Sequence, residues 1–306
     1  MSASTIVCAT CLTPAGERAL QLAQSIASSR KAALHLLHVE DDPLAAIEGA
    51  AMPAGTAQAA QALATHLREV RAQRDDRLTA AAESCRAAGL TCQVERMEGR
   101  PWEAIVEGAE RHQAQAVVIG PHRHAEQNLP ERLATRLLGT TAMRVLRHAP
   151  CPVWVASGVH PIATSLQDKR WLVAVDFSPP SQRALLQAAD WVRHAGGSLL
   201  AVHAIEPGEA AGDLSSDAIA PLVARWRELA QEKLTALLAP LALDARAQSD
   251  VRIGALDAVI AELASSHSID HVVVGSHGRT GLSRALLGSM AERCIRSAPV
   301  PTLVVQ

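Results

Sequence analysis

The chain measures itself out twice. Gly99 and Gly120 stand 21 positions apart, as do Gly254 and Gly275; Gly139 and Pro150 stand 11 apart, as do Gly288 and Pro299. Glycine and proline punctuate secondary structure, so two matched intervals mark one supersecondary pattern laid down twice. Side chains agree where the register is tested: Thr13-Pro14 matches Ser178-Pro179, and Arg18-Ala19-Leu20 matches Arg183-Ala184-Leu185. A length of 306 residues suits two domains of about 150 each. The expected division is a first domain over residues 1–157, a linker over 158–169 with Gly158, Pro161 and several polar residues, and a second domain over 170–306. The halves differ in length in a connection, where insertion is tolerated: Gly120 to Gly139 is 19 positions, Gly275 to Gly288 only 13.

Each half alternates short apolar β-branched runs with helical stretches. In the first half, strands are expected over 5–10, 34–39, 91–95, 116–120 and 153–155, with helices over 15–29, 56–88 and from Pro101; residues 41–55, with Pro43 and Pro53, read as a loop. In the second, strands are expected over 171–175, 199–205, 245–251, 271–274 and 302–305, with helices over 179–194, 221–238, 256–266 and 289–296. Strands separated by helices long enough to cross over make a parallel sheet covered on both faces. The fold class is therefore α/β, as two tandem domains. In open sheets of this kind, ligands sit beyond the carboxyl ends of the strands, where the strand order reverses.

Charge narrows the partners. Lys and Arg number 29 against 31 Asp and Glu, a net charge of −2, so no global positive field draws the chain to nucleic acid or an anionic membrane. No run approaches the roughly 18 apolar residues of a membrane span, and the opening residues lack a secretory pattern, so a cytoplasmic protein is expected. Six scattered cysteines in such a compartment read as buried small side chains rather than disulfides.

One stretch of the second half carries chemistry. Val272-Val273-Val274-Gly275 reads as a buried strand ending in glycine, and Gly275 is followed by two residues, Gly278, nine residues, then Gly288-Ser289. Ser289 opens the next helix. Backbone N–H groups of such a turn, and those at the start of the Ser289 helix, present partial positive charge to phosphate oxygens. The pattern resembles the ATP-binding members of the universal stress protein family, and the resemblance covers nearly the whole chain as two copies. It implies Rossmann-like, flavodoxin-like domains of five strands ordered 3-2-1-4-5, which sets strand one beside strand four. Asp176, at the end of strand one, would then face Gly275 although 99 positions separate them. It would bond a ribose hydroxyl or the adenine amino group. The resemblance also places Ala204, Gly278, Gly288 and Met290 around the nucleotide, with Ala204 near adenine through its backbone. The implied cofactor is ATP, or AMP or ADP, with Mg²⁺ left open. Partners implied are the nucleotide and a second chain, since family members pair through their last strands; 151–155 and 300–304 are also suited to pairing the halves within one chain. Asp176 has a plainer alternative role, satisfying N–H groups at the start of the following helix.

The first half departs from the pattern. Cys11 stands where Asp176 stands, and Arg123 replaces the second glycine, so this half is not expected to hold ATP in the same way. Cys8-Ala9-Thr10-Cys11 has redox-pair spacing, but Cys8 falls inside a strand. His122-Arg123-His124 offers two imidazoles in a spacing that matches no established zinc pattern, so no metal ligand is assigned. The expected function is a stress-response, ATP-binding sensor or regulator without catalytic residues. The alternatives are a slow ATPase or adenylate-handling enzyme, for which the chain lacks a Gly-x4-Gly-Lys loop and a His-x-Gly-His motif, and an adaptor that binds no nucleotide.

Overall fold

The computed structural model describes residues 4–40, 57–121, 138–158, 160–206, 216–277 and 287–306. The first half runs β1 (Thr5–Ala9), α1 (Pro14–Arg30), β2 (Ala33–Glu40), α2 (Ala57–Ala87), β3 (Cys92–Glu98), α3 (Pro101–Arg111), β4 (Ala116–Ile119), α4 (Thr140–His148) and β5 (Val153–Val155). The second runs β6 (Arg170–Ala174), α5 (Pro179–Ala195), β7 (Ser198–Ile205), α6 (Ser216–Leu238), β8 (Ala247–Ile253), α7 (Leu256–Ser266), β9 (His271–Gly275), α8 (Ser289–Ser297) and β10 (Thr302–Val305). Residues 41–55, read as a loop, lie outside the described residues. Proline opens α1, α3 and α5, where its missing N–H costs nothing and its fixed φ suits the helix. Pro221 was expected to do the same for α6, but that helix already starts at Ser216 and holds Pro221 inside it. A short 3-10 turn, Asp244–Arg246, delays β8 to Ala247.

All strands join one sheet in the order β3-β2-β1-β4-β5-β10-β9-β6-β7-β8. Within each half the order is the expected 3-2-1-4-5 and every pairing is parallel. Where the halves meet, β5 and β10 run antiparallel, with Val155 opposite Thr302, Trp154 opposite Leu303 and Val153 opposite Val304. The pairing of last strands is thus made inside one chain. Both hydrogen-bonding edges of β5 and β10 are occupied, and β3 and β8 remain as the edges of the sheet.

Side chains alternate across the strands and feed two cores. Val117, Ile119, Val153 and Val155 enter one, under α3, α4, α7 and α8; Val118 and Trp154 enter the other, under α1, α2, α5 and α6. Because both faces are covered, the central strands read as continuous apolar runs. Each core crosses the junction of the halves. Trp154 of the first half meets Trp171 and Trp191 of the second edge to face, at ring separations of 5.9 and 6.0 Å, while Trp171 and Trp191 stack at 5.5 Å. Arg30 of α1 lies 3.8 Å over the Trp191 ring and pairs with Asp190 at 2.6 Å. In the segment between the halves, Leu166 is buried, and Ser25 Oγ donates to the Ala163 carbonyl at 2.5 Å.

Candidate functional site

In the second half, strands one and four are β6 and β9, and the strand order reverses between them. Beyond their carboxyl ends lies a small cleft, open to solvent. Asp176, Ala204, Gly275 and Met290, expected from the sequence to meet, all line it. Its floor is apolar, with Ala174 and Val274 from the strands, Leu256 from α7 and Ala291 from α8; Asp176, Ser181, His203 and His277 supply the polar atoms.

Asp176 follows β6 in the turn into α5. Phe177 takes φ of 67°, a left-handed conformation unusual for a bulky residue, which reverses the chain within one residue. Asp176 Oδ1 then accepts hydrogen bonds from the Ser178 backbone N–H at 3.0 Å and the Ser178 hydroxyl at 2.5 Å. Ser178 is the N-cap of α5 and accepts from the Ser181 N–H. The plainer role weighed for Asp176 is therefore realised, and the residue lines the cleft as well.

Gly275 is glycine for a reason of packing. A Cβ there would lie 2.7 Å from the Pro180 carbonyl carbon and 2.8 Å from the Ser181 nitrogen, against the first turn of α5. Gly120 is constrained alike, its Cβ falling 2.8 Å from the Ala15 oxygen of α1. This first glycine of the motif lets helix and strand touch in both halves, so the close approach it allows is to the helix as well as to the cleft.

Gly288 is the N-cap of α8, with φ −62° and ψ 139° and no side chain to cap the helix. Its N–H donates to the Ser276 carbonyl at 2.8 Å and its carbonyl accepts from Glu292 at 3.0 Å. Ser289 is the first helical residue. Neither of these two lines the cleft; Met290, one position on, does. The first N–H groups of an α-helix have no intrahelical acceptor, and a glycine cap leaves them without a side-chain oxygen. Gly278, Arg279, His122, Arg123 and His124 lie outside the described residues.

Two histidines also line the cleft: His277 of the glycine turn, and His203, which the sequence reading did not single out. His203 Nδ1 lies 2.7 Å from the Val175 carbonyl, which fixes the proton on Nδ1, and its ring packs 4.6 Å from Phe177. The first half repeats this at the matched place, where His38 Nδ1 lies 2.9 Å from the Thr10 carbonyl. Pairing the histidines of the two halves by the repeat would have found it. His277 Nδ1 shares a hydrogen bond with Ser276 Oγ at 2.8 Å, and its buried Nε2 has no partner among the described residues.

Among the described residues, no lining side chain carries a permanent positive charge. Arg293 of α8 is nearby but engaged by Asp257 at 2.6 Å and Glu206 at 3.0 Å, and the bond from Arg293 holds the Asp257 carboxyl below its usual range. An anion in the cleft would therefore rely on backbone N–H groups, the α8 N-terminus and His277. Cys294 at the floor is inert, its thiol pushed up to about 12 by burial. In the first half Cys11 takes the place of Asp176, with Sγ 2.9 Å from Thr13 Oγ1, and the corresponding groove is bordered by Arg74, Arg77 and Arg100. Cys8 sits in β1 within the core, where burial raises its thiol pKa; it is no exposed redox partner for Cys11.

A duplicated parallel sheet with helices on both faces and strand order 3-2-1-4-5 in each copy defines a tandem Rossmann-like α/β protein. Both copies match the model of the Universal stress protein family, over residues 3–157 and 169–306, and the chain belongs to that family. It is 32% identical over 203 residues to universal stress protein Rv2005c of Mycobacterium tuberculosis, a match covering 64% of this chain but only 63% of that protein's length. A universal stress protein of Mycolicibacterium smegmatis is 30% identical over 225 residues, covering 71% and 70%. Among solved structures, a universal stress protein from Archaeoglobus fulgidus superposes with a TM-score of 0.67 at 21% identity, covering 99% of this chain and 96% of that one. No helix among the described residues is long and apolar enough to cross a membrane.

Proposed function

We propose that the second half binds an adenine nucleotide, ATP or its di- or monophosphate, and that occupancy regulates the protein's association with partners. The observation that supports this most is the convergence of Asp176, Ala204, Gly275 and Met290, from four separate stretches of sequence, on one cleft at the switch point. The apolar floor suits a purine, Asp176 suits a ribose hydroxyl or the exocyclic amine, and the glycine-capped start of α8 suits phosphate oxygens. His277 Nε2, buried and without a partner among the described residues, is a polar atom that a ligand oxygen would satisfy. Ser289, at the first helical position, adds a hydroxyl. No catalytic residue is assigned, and a Mg²⁺ ion would be held by the phosphates rather than by a protein carboxylate cluster.

Calorimetric titration of the chain with ATP, AMP and a flavin mononucleotide tests the reading. Binding of the adenylates at one site per chain, lost in Gly288→Val, is expected; full affinity in that variant would remove the phosphates from α8. Any homodimer must use surfaces other than the last strands, since those are paired within the chain.

A further inference from the structure

Away from the nucleotide cleft, three side chains of the first half converge on the face of the sheet that carries α3. His35 on β2 and Glu95 on β3 share that face: Glu95 is in register with Leu37, two residues beyond His35. His112, the C-cap of α3, comes down onto them. One ligand atom from each of the three lies within 4.8 Å of the other two. His112 Nε2 is 2.5 Å from Glu95 Oε2, and the His35 and His112 rings approach to 3.9 Å between centroids. We propose that His35, Glu95 and His112 form a binding site for a divalent transition-metal ion.

Two imidazoles and one carboxylate are the donor set that zinc and its neighbours take when three protein ligands leave a further position for water. Ligand atoms around a tetrahedral zinc stand about 3.3 Å apart, so small side-chain rotations close the present arrangement onto an ion. The cluster is part-buried at the edge strand β3, with His112 and Glu95 side chains 22% and 21% exposed, so an ion has access from solvent. The carbonyl end of α3 adds partial negative charge beside it. Burial, and after it the neighbouring His112, lower the His35 imidazole pKa from its ordinary value. One cation competes: Arg111 bonds Glu95 Oε1 and also Glu107 Oε1, which leaves Oε2 on the side of the two rings.

The duplication supplies an internal control. The register that matches β2 with β7 and β3 with β8 puts Leu200 at the place of His35 and Asp250 at the place of Glu95, while His267 caps α7 as His112 caps α3. Leu200 is buried in the core, and Asp250 pairs with Arg252 at 2.6 Å. The second half thus lacks the third ligand and has turned its carboxylate elsewhere.

Tag-free full chain, titrated with Zn²⁺ against a chromophoric chelator and with Co²⁺ under visible spectroscopy, tests the site. One ion per chain is expected, with affinity lowered about tenfold or more in His35→Leu, which installs the residue the second half already tolerates, and in Glu95→Gln. Cobalt should give ligand-field bands without thiolate charge transfer. Zinc uptake in both variants equal to the parent, no uptake by the parent, or a thiolate band placing the ion on cysteine would each overturn the proposal. Thermal melts of the metal-free variants confirm that they fold, and Glu95→Gln stands alone should His35→Leu fail to.

Discussion

Asp176 Oδ1 accepts the Ser178 backbone N–H at 3.0 Å, so the carboxylate expected to hold a nucleoside also braces the start of α5. The two roles separate by substitution. Asp176→Asn keeps an acceptor oxygen for Ser178 and should change unfolding free energy by less than about 1 kcal/mol, whereas Asp176→Ala should cost about 1–2 kcal/mol. Both remove the charge and should weaken adenylate binding about tenfold. Urea denaturation beside calorimetry reads both quantities; unchanged affinity in Asp176→Asn would leave the residue with only its structural role.

Gly275→Ala and Gly120→Ala should destabilise alike. Each added methyl meets backbone atoms at 2.7–2.8 Å, which cannot rotate away, so strain of about 1–3 kcal/mol is expected at both sites. Only Gly275→Ala should also reduce nucleotide affinity, because only that glycine borders the proposed nucleotide cleft. Equal stability to the parent in either variant would contradict the helix contact.

His271 makes the junction of the halves sensitive to acid. Its ring is buried against Trp154 and Trp171, and neither nitrogen has a partner among the described residues. Burial lowers its pKa to about 4; Asp270 opposes this with a smaller raising influence, and Lys169 adds a smaller lowering one. The unfolded chain takes up this proton near pH 6.5 and the folded chain only near 4, so stability is full above 6.5 and falls as pH drops between those values. From pH 7 to 5 the loss from this group is about 2 kcal/mol. His271→Leu should flatten the decline by that amount in urea melts; an unchanged slope would mean that the imidazole is solvated in the folded state.

Trp154→Ala should cost about 3–5 kcal/mol, since the ring is buried and touches two tryptophans of the other half. Because both cores run across the β5–β10 junction, the parent should unfold in one calorimetric transition. Two separated transitions in the parent would show that the halves are stabilised independently.

Much of the fold is legible in the chain because its signals are local. Apolar runs of four or five residues, Pro14, Pro101 and Pro179 at helix starts, and intervals repeated between halves need no distant partner to be read. Among the bounds that shifted, α6 starts before Pro221, β8 starts at Ala247 and not at 245, and β3 runs on to Glu98. The cleft was partly legible: Asp176 and Gly275 come from the pattern once the strand order is known. His203 carries no motif, and the packing role of Gly275 depends on α5, which the glycine meets only in three dimensions.

The sequence by itself determined the duplication, the α/β class and the asymmetry between a half with Asp176 and a half with Cys11, since each is written in residue identity and spacing. Only the tertiary structure decided that the halves fuse through β5 and β10 into one sheet, and that His35, Glu95 and His112 meet. Those contacts are set by strand register and helix placement across long separations, and spacing along a chain does not encode distance in space.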